Sequence, residues 1–189
     1  MNLFVDTISE LCNIIIFDNS RHIIDTLEYN IKWNESSLLI PKIDKIIKKN
    51  NLEYEDLSNI VVVNWPWSFT WIRTTVLVIN TINYIIKWDI TPIMFFDLYS
   101  NYPIVKSSSK RDCFFKKDKK SNIEIISNEE LLKYLNKNNI SEVYWEVNKE
   151  VLPWIKILDK INYEDIIKKI NFQKEKIISP LYIKKPNIS

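Results

Sequence analysis

Glycine and alanine are both absent from this 189-residue chain. An average chain of this length carries about 13 glycines, so other residues must form its tight turns and left-handed backbone positions. Ile, Lys and Asn are abundant instead, with 34, 23 and 21 copies. This composition is typical of a very AT-rich genome, in which the GC-rich codons for Gly and Ala are rare.

Cysteine and histidine are also scarce. Cys12 and Cys113 lie far apart without CxxC spacing, which predicts two reduced thiols in a cytoplasmic protein. His22 is the only histidine, so nucleophilic catalysis has at most one candidate base, and we expect a structural or exposed role for it. No apolar run reaches the ~20 residues that cross a bilayer, and the first residues lack the basic region of a signal peptide. We therefore expect no metal, no cofactor and no membrane partner.

The hydrophobic pattern predicts an α/β fold. Three β-branched and aromatic runs at 2–8, 11–17 and 21–29 are typical of a three-stranded meander. Asn19, in the second turn, is expected to take the positive φ that glycine would otherwise supply. Asn34 is the expected N-cap of a helix over 35–49, whose buried face is predicted to contain Leu39, Ile43, Ile46 and Ile47.

The next elements complete a first domain. Residues 60–64 are continuously apolar, which predicts a strand buried on both faces. A helix over 71–86 is apolar nearly all round, so it needs burial on two sides. With a strand at 91–96 the order becomes βββαβαβ, and we predict domains at 1–99 and 100–189. Weaker patterns in the second half predict strands near 103–107, 112–116, 122–126, 142–147 and 179–184, and helices near 128–138 and 162–170.

Two segments are candidates for chemistry. Asp6 and Thr7 follow the first strand, where an acid and a hydroxyl either meet phosphate or Mg²⁺ or simply complete a turn. The segment Lys106–Lys120 is either a solvated loop or a weak phosphate-facing patch. Its seven basic residues are Lys106, Lys110, Arg111, Lys116, Lys117, Lys119 and Lys120. The net charge of +2 does not by itself indicate a nucleic-acid partner.

One constellation is specific. The run from Val61 to Arg73 resembles the strand–turn–helix signature GPGSFTGLR of the TsaB (YeaZ) family, whose members take part in making threonylcarbamoyladenosine in tRNA. The agreement, in register, is at Pro66, Ser68, Phe69, Thr70 and Arg73. The opening LFVDTIS, with Asp6 and Thr7, is similar to the first strand and turn of that family. Residues 34–44 resemble its helix after "HSE", and residues 180–186 its terminal strand. The resemblance therefore runs in order along the whole chain.

The resemblance implies a duplicated ribonuclease-H-like, actin-like (ASKHA) fold with mixed sheets flanked by helices and a shortened second half. It also implies a non-catalytic subunit that binds the catalytic paralogue TsaD, is joined by the ATPase TsaE, and meets tRNA only indirectly. The expected partner surface is a largely apolar contact formed by the helices over 35–49 and 71–86, with a second copy of the chain docking there when TsaD is absent. On the second of these helices the contact is expected to follow one line. That line contains Thr74, Val78, Thr81 and Ile85.

Two other functions remain open from the sequence. An active ATP-dependent kinase of the same superfamily would need glycine-rich phosphate loops and further acidic Mg²⁺ ligands. A small RNA-binding module would depend on the basic segment Lys106–Lys120, and its affinity would fall steeply with salt.

The resemblance has one systematic departure, because Trp65, Trp67 and Trp71 stand at the three glycines of the family signature. Trp33 and Trp88 also occupy positions where a small turn residue is expected. We hypothesise that these tryptophans are UGA codons that the source organism reads as glycine. Mass spectrometry of the protein from its source cell should then give glycine masses at 65, 67 and 71. The matched reference is protein expressed with standard tryptophan codons at these positions. Tryptophan masses in the native protein would contradict the hypothesis.

Overall fold

A computed structural model describes residues 1–9, 11–30, 37–65, 69–146, 155–158 and 160–180, with the side chains of all of these except 65, 69–72, 145 and 146. The strands are β1 (Asn2–Asp6), β2 (Leu11–Phe17), β3 (Ile23–Asn30), β4 (Asn59–Trp65), β5 (Asp89–Met94), β6 (Ile104–Ser107), β7 (Asp112–Lys116), β8 (Glu124–Ser127), β9 (Glu142–Glu146) and β10 (Lys156–Leu158). The α-helices are α1 (Leu39–Lys49), α2 (Phe69–Ile86), α3 (Asn128–Lys137) and α4 (Tyr163–Lys169).

The first sheet has the strand order β3-β2-β1-β4-β5. β1, β2 and β3 form the predicted antiparallel meander, and β4 and β5 are added parallel to β1. Every residue of β1 is buried, and so is the apolar run 60–64 of β4, because both strands lie inside the sheet. β3 alternates between half-buried and exposed residues, as an edge strand with one covered face does.

The second sheet repeats this topology. Its order is β10-β9-β6-β7-β8, with β6, β7 and β8 antiparallel and β9 and β10 added parallel to β6. Two mixed sheets flanked by helices confirm the predicted α/β fold. The shortening has a definite place: residues 66–88 separate β4 from β5, whereas only 147–155 separate β9 from β10. Nine residues cannot contain a counterpart of the 18-residue α2.

The chain divides into two compact units that differ from the predicted domains. The first contains Met1–Phe95 together with Tyr163–Ser189, and the second contains Phe96–Asn162. The sequence placed the boundary four residues later and assigned the C-terminal segment to the second domain. The reason for the difference is packing of that segment on the first sheet: the Tyr163 ring lies edge-on to Phe4, with centroids 5.5 Å apart.

Helix α1 buries the predicted face, Leu39, Ile43, Ile46 and Ile47. It begins later than predicted, because Leu38 is the N-cap residue and makes no side-chain capping bond. Asn34, the expected N-cap, lies outside the described residues. α3 has a complete capping box between Ser127 and Glu130, and the backbone bond from Ser127 lowers the pKa of the Glu130 carboxyl. The strand β10 was not predicted, and most of the strand expected at 179–184 falls outside the described residues.

The absence of glycine is met by other residues at left-handed positions. Among the described residues, Arg21, Asn51, Lys87 and Asn139 have positive φ, of 72°, 54°, 66° and 51°. The last three follow the ends of α1, α2 and α3, where glycine commonly stands. The prediction for Asn19 is wrong, because the β2–β3 turn places the positive φ at Arg21. The Asp18 carboxylate accepts the backbone N–H of His22 (2.9 Å) in that turn, and His22 is exposed, as expected.

Trp88 does not occupy a turn that demands a small residue. Its indole is 2% exposed, stacks on Tyr54 with ring centroids 5.9 Å apart, and donates Nε1–H to the Tyr54 carbonyl oxygen (3.1 Å). The left-handed residue at this helix end is its neighbour Lys87. The expectation of a small residue at position 88 is therefore wrong, since a bulky aromatic is accommodated there against Tyr54.

The two cysteines are free and buried. Burial raises the pKa of the Cys113 thiol to about 12, which keeps it protonated near neutral pH. No helix within the described residues is long and apolar enough to cross a membrane.

Candidate functional site

The carboxylate of Asp6, at the carboxyl end of β1, is fully buried and accepts four hydrogen bonds. Its Oδ1 accepts the backbone N–H groups of Ile8 (3.0 Å) and Ser9 (3.1 Å). Its Oδ2 accepts the Ser9 hydroxyl and the Tyr163 hydroxyl, the latter at 2.8 Å. The carboxylate therefore closes its own turn and binds the first residue of α4 at the same time.

Tyr163 connects this turn to the second strand. Its hydroxyl donates to Asp6 and accepts the Nδ2–H of Asn13 in β2 (3.1 Å). Asn13 also donates to the Leu11 carbonyl oxygen (2.9 Å) and is 2% exposed. The hydrogen-bonded series Asn13–Tyr163–Asp6 thus joins β2, α4 and β1 through the hydroxyl of the half-buried Tyr163.

Thr7 connects the same turn to α2. Its Oγ1 lies 2.7 Å from the Oγ1 of Thr75, and both residues are buried. This hydroxyl pair is a hydrogen bond between the turn after β1 and α2. Asp6 and Thr7, singled out from the sequence, therefore lie together at the carboxyl end of β1 and hydrogen-bond to other groups of the same chain.

These contacts bear on the two interpretations of Asp6 and Thr7. A Mg²⁺ or phosphate site needs carboxylate oxygens directed at the ligand, whereas both oxygens of Asp6 are used by protein donors. Within the described residues no group of three His, Cys, Asp or Glu side chains is placed to hold a metal ion. The geometry supports a turn-completing role.

The signature segment itself is described only in part. Phe69 and Thr70 open α2, while Pro66 and Ser68 lie outside the described residues. Arg73, in the first turns of α2, is exposed.

Helix α2 exposes an apolar face, which we call the α2 stripe: Leu77, Thr81, Tyr84 and Ile85. Leu77, Tyr84 and Ile85 are 67%, 79% and 73% exposed. The predicted line is partly wrong, because Val78 is only 9% exposed and packs into the core, while Thr74 is half-buried. Thr81 and Ile85 are exposed, as that line requires. The periodicity located the helix, but it could not show which side the sheet covers.

The basic segment does not form one patch. Lys106 is fully buried in β6, so it contributes no surface charge. Lys110 and Arg111 precede β7, and Lys117, Lys119 and Lys120 follow it, so the two groups are about 20 Å apart along the extended strand. Lys116 donates to the Ser121 carbonyl oxygen (2.8 Å), and the Lys117 ammonium lies 5.7 Å from the Tyr134 ring centroid.

Sequence reasoning missed Tyr163, Asn13 and Thr75. A tyrosine 157 residues from Asp6 carries no local signal for the contact. Asn13 is the one polar residue in the apolar run of β2. A lone amide in such a strand must find a hydrogen-bond partner when it is buried, and this is the signal that could have marked it.

Solved structures of YeaZ share this fold. YeaZ from Pseudomonas aeruginosa aligns over 68% of this chain and 67% of its own, with a TM-score of 0.56 and 10% identity. The structure of an uncharacterized protein with similarity to peptidase YeaZ from Pseudomonas aeruginosa aligns over 67% of this chain and 63% of its own, with a TM-score of 0.54 and 11% identity. This chain therefore spans less than two thirds of the second structure. At such identities the likeness establishes the fold.

No family model matches the sequence. No curated protein matches it either.

The Asp6–Tyr163 hydrogen bond should be measurable in the free energy of unfolding. Tyr163→Phe should lower it by about 1–3 kcal/mol, because a buried carboxylate loses one donor. In a double-mutant cycle with Asp6→Ala the two losses should not add. Tyr84→Phe, on an exposed tyrosine, is the matched control and should change stability little. Denaturant titration provides the values, and additive losses in the cycle would show that the two side chains are not coupled.

Proposed function

We propose that this chain is a TsaB (YeaZ)-type accessory subunit of the machinery that makes N6-threonylcarbamoyladenosine in tRNA. Two independent lines support the proposal. The signature residues Pro66, Ser68, Phe69, Thr70 and Arg73 keep the family register, and the fold is the one that solved YeaZ structures have.

The observation that carries the non-catalytic part of the proposal is the Asp6 carboxylate. It lies at the carboxyl end of β1, beside the parallel strand β4. At this end of the strands α/β proteins commonly place their reactive groups. Here Ile8, Ser9 and Tyr163 occupy its acceptor positions. A carboxylate held in this way has a structural role, which supports the proposal of a non-catalytic platform.

The platform is proposed to bind a TsaD-like catalytic subunit through the α2 stripe. Leu77, Tyr84 and Ile85 are large, exposed and on one side of the helix, and an exposed apolar patch of this kind is typical of a protein–protein contact. A TsaE-like ATPase would join that complex, tRNA would be met only indirectly, and a second copy would cover the stripe in the isolated protein. The proposed location is the cytoplasm.

The two rival functions receive less support. A kinase-like site would need Asp6 to be available for Mg²⁺, and its oxygens are engaged. An RNA-binding module would need one continuous basic surface. Lys106 is buried, and the other basic residues are divided between the two ends of β7.

The α2 stripe is tested by Leu77→Glu with Ile85→Lys. Co-purification with the TsaD-like subunit should be weakened by about a hundredfold or more, because two charges would be buried without partners. The variant should stay folded, since both side chains are exposed in the chain alone. Binding is measured by titration of the purified subunit and folding by circular dichroism.

The matched control is Leu11→Glu with Ile24→Lys, which alters two other exposed apolar residues, on β2 and β3. This control should bind as the parent chain does. Unchanged affinity of the α2 variant would place the partner elsewhere. Equal losses in both variants would mean that surface charge in general, and not the stripe, affects binding.

A further inference from the structure

The segment 173–179, which follows α4, lies along the outer edge of β5. Ile90 in β5 and Glu175 form an antiparallel bridge, with N–H···O distances of 2.8 Å and 3.2 Å. The Gln173 N–H donates to the Thr91 hydroxyl (2.9 Å), which in turn lies 3.3 Å from the Gln173 carbonyl oxygen. The segment therefore covers the strand edge that β5 would otherwise present.

Three asparagine side chains hold the backbone of the same segment. Asn80 in α2 makes a two-way contact with Ile178, donating to its carbonyl oxygen (2.8 Å) and accepting its N–H (3.1 Å). Asn83 in α2 donates to the Lys176 carbonyl oxygen (2.7 Å), and Asn64 in β4 donates to that of Ser179 (2.9 Å). These amides contact main-chain atoms, so they hold the segment through its backbone and not through its side chains.

Apolar burial adds little to this attachment. Ile178 is 2% exposed, and every other residue of 173–179 is exposed. The ion pair of Lys176 with Asp89 joins side chains that are 60% and 27% exposed. Within the described residues, the Oδ1 atoms of Asn64 and Asn83 are buried without a hydrogen-bond partner, which penalises the closed arrangement.

We infer that residues 173–179 form a latch, which opens and recloses on its own while the rest of the first unit stays folded. Segments held mainly by hydrogen bonds, with few buried apolar contacts, open at lower free energy than the core. The latch closes on α2 at Asn80 and Asn83. Asn80 neighbours Leu77 and Tyr84 of the α2 stripe on the helix surface, because it lies three residues after the first and four before the second. On the proposed function, latch closure fixes the docking helix, and partner binding and closure favour each other.

Amide hydrogen exchange of the full chain tests the latch. The N–H groups of Ile90, Glu175 and Ile178 each donate across it, and they should exchange at least about tenfold faster than the amides of β1 and β4. In Asn80→Leu with Asn83→Leu these three should exchange about tenfold faster again, because bonds to the segment are lost, while β1 and β4 are unchanged.

Two controls separate the latch from other effects. Thr81→Val changes α2 at an exposed position whose hydroxyl bonds within the helix, to the Leu77 carbonyl oxygen, and should leave latch exchange unchanged. Leu77→Glu with Ile85→Lys should also leave it unchanged, because both side chains are exposed and neither leucine nor isoleucine can hydrogen-bond to the latch. If the asparagine variant does not fold, Thr91→Val removes only the Gln173 contacts and should speed exchange at Gln173 and Glu175.

The latch is overturned if Ile90, Glu175 and Ile178 exchange only as fast as β1 and β4. It is also overturned if the asparagine variant does not speed their exchange and Thr91→Val does not speed that of Gln173 and Glu175. Adding the TsaD-like subunit should slow latch exchange, and binding without that effect overturns the linkage. If the TsaD-like subunit does not bind, that result counts against the proposed function alone. The latch is tested separately, by the amide exchange of the isolated chain.

Discussion

The buried carboxylate of Asp6 is the interaction on which the first unit depends. It draws the backbone of Ile8 and Ser9 into a turn and binds the hydroxyl of Tyr163, so one side chain joins β1 to α4. A buried carboxylate is stable only when its oxygens are hydrogen-bonded. The requirement that Asp6 be satisfied therefore keeps the segment from Tyr163 onward with the first sheet, although it follows the second unit in the chain.

The same constraint bears on function. The two sheets share one topology, and the first has both crossover helices while the second has residues enough for only one. The complete unit is the one that carries the signature segment, the α2 stripe and the latch. A ligand site would be expected at the carboxyl ends of its parallel strands. Hydrogen bonds among Asp6, Thr7, Tyr163 and Thr75 close that end of β1. The large exposed apolar residues of α2 lie instead on its outer side, where the proposed docking surface is.

Much of the fold was predictable because its signals are local. The apolar run 60–64, the buried face of α1 and the meander each follow from spacing within a few residues. Predictions failed where the answer depended on distant packing. Val78 and Lys106 are buried by elements that their own neighbourhoods do not reveal. Tyr163 meets Asp6 across 157 positions, and Arg21 takes the left-handed conformation that Asn19 was expected to take.

The most direct test of this account is ATP hydrolysis by the purified chain in the presence of Mg²⁺. With the Asp6 oxygens held by Ile8, Ser9 and Tyr163, the chain and a folded Asp6→Asn variant should show the same background rate, because oxygens engaged by protein donors are not directed at a metal ion. Saturable hydrolysis by the parent chain that disappears in Asp6→Asn, with the variant still folded, would contradict the account and favour a kinase-like enzyme.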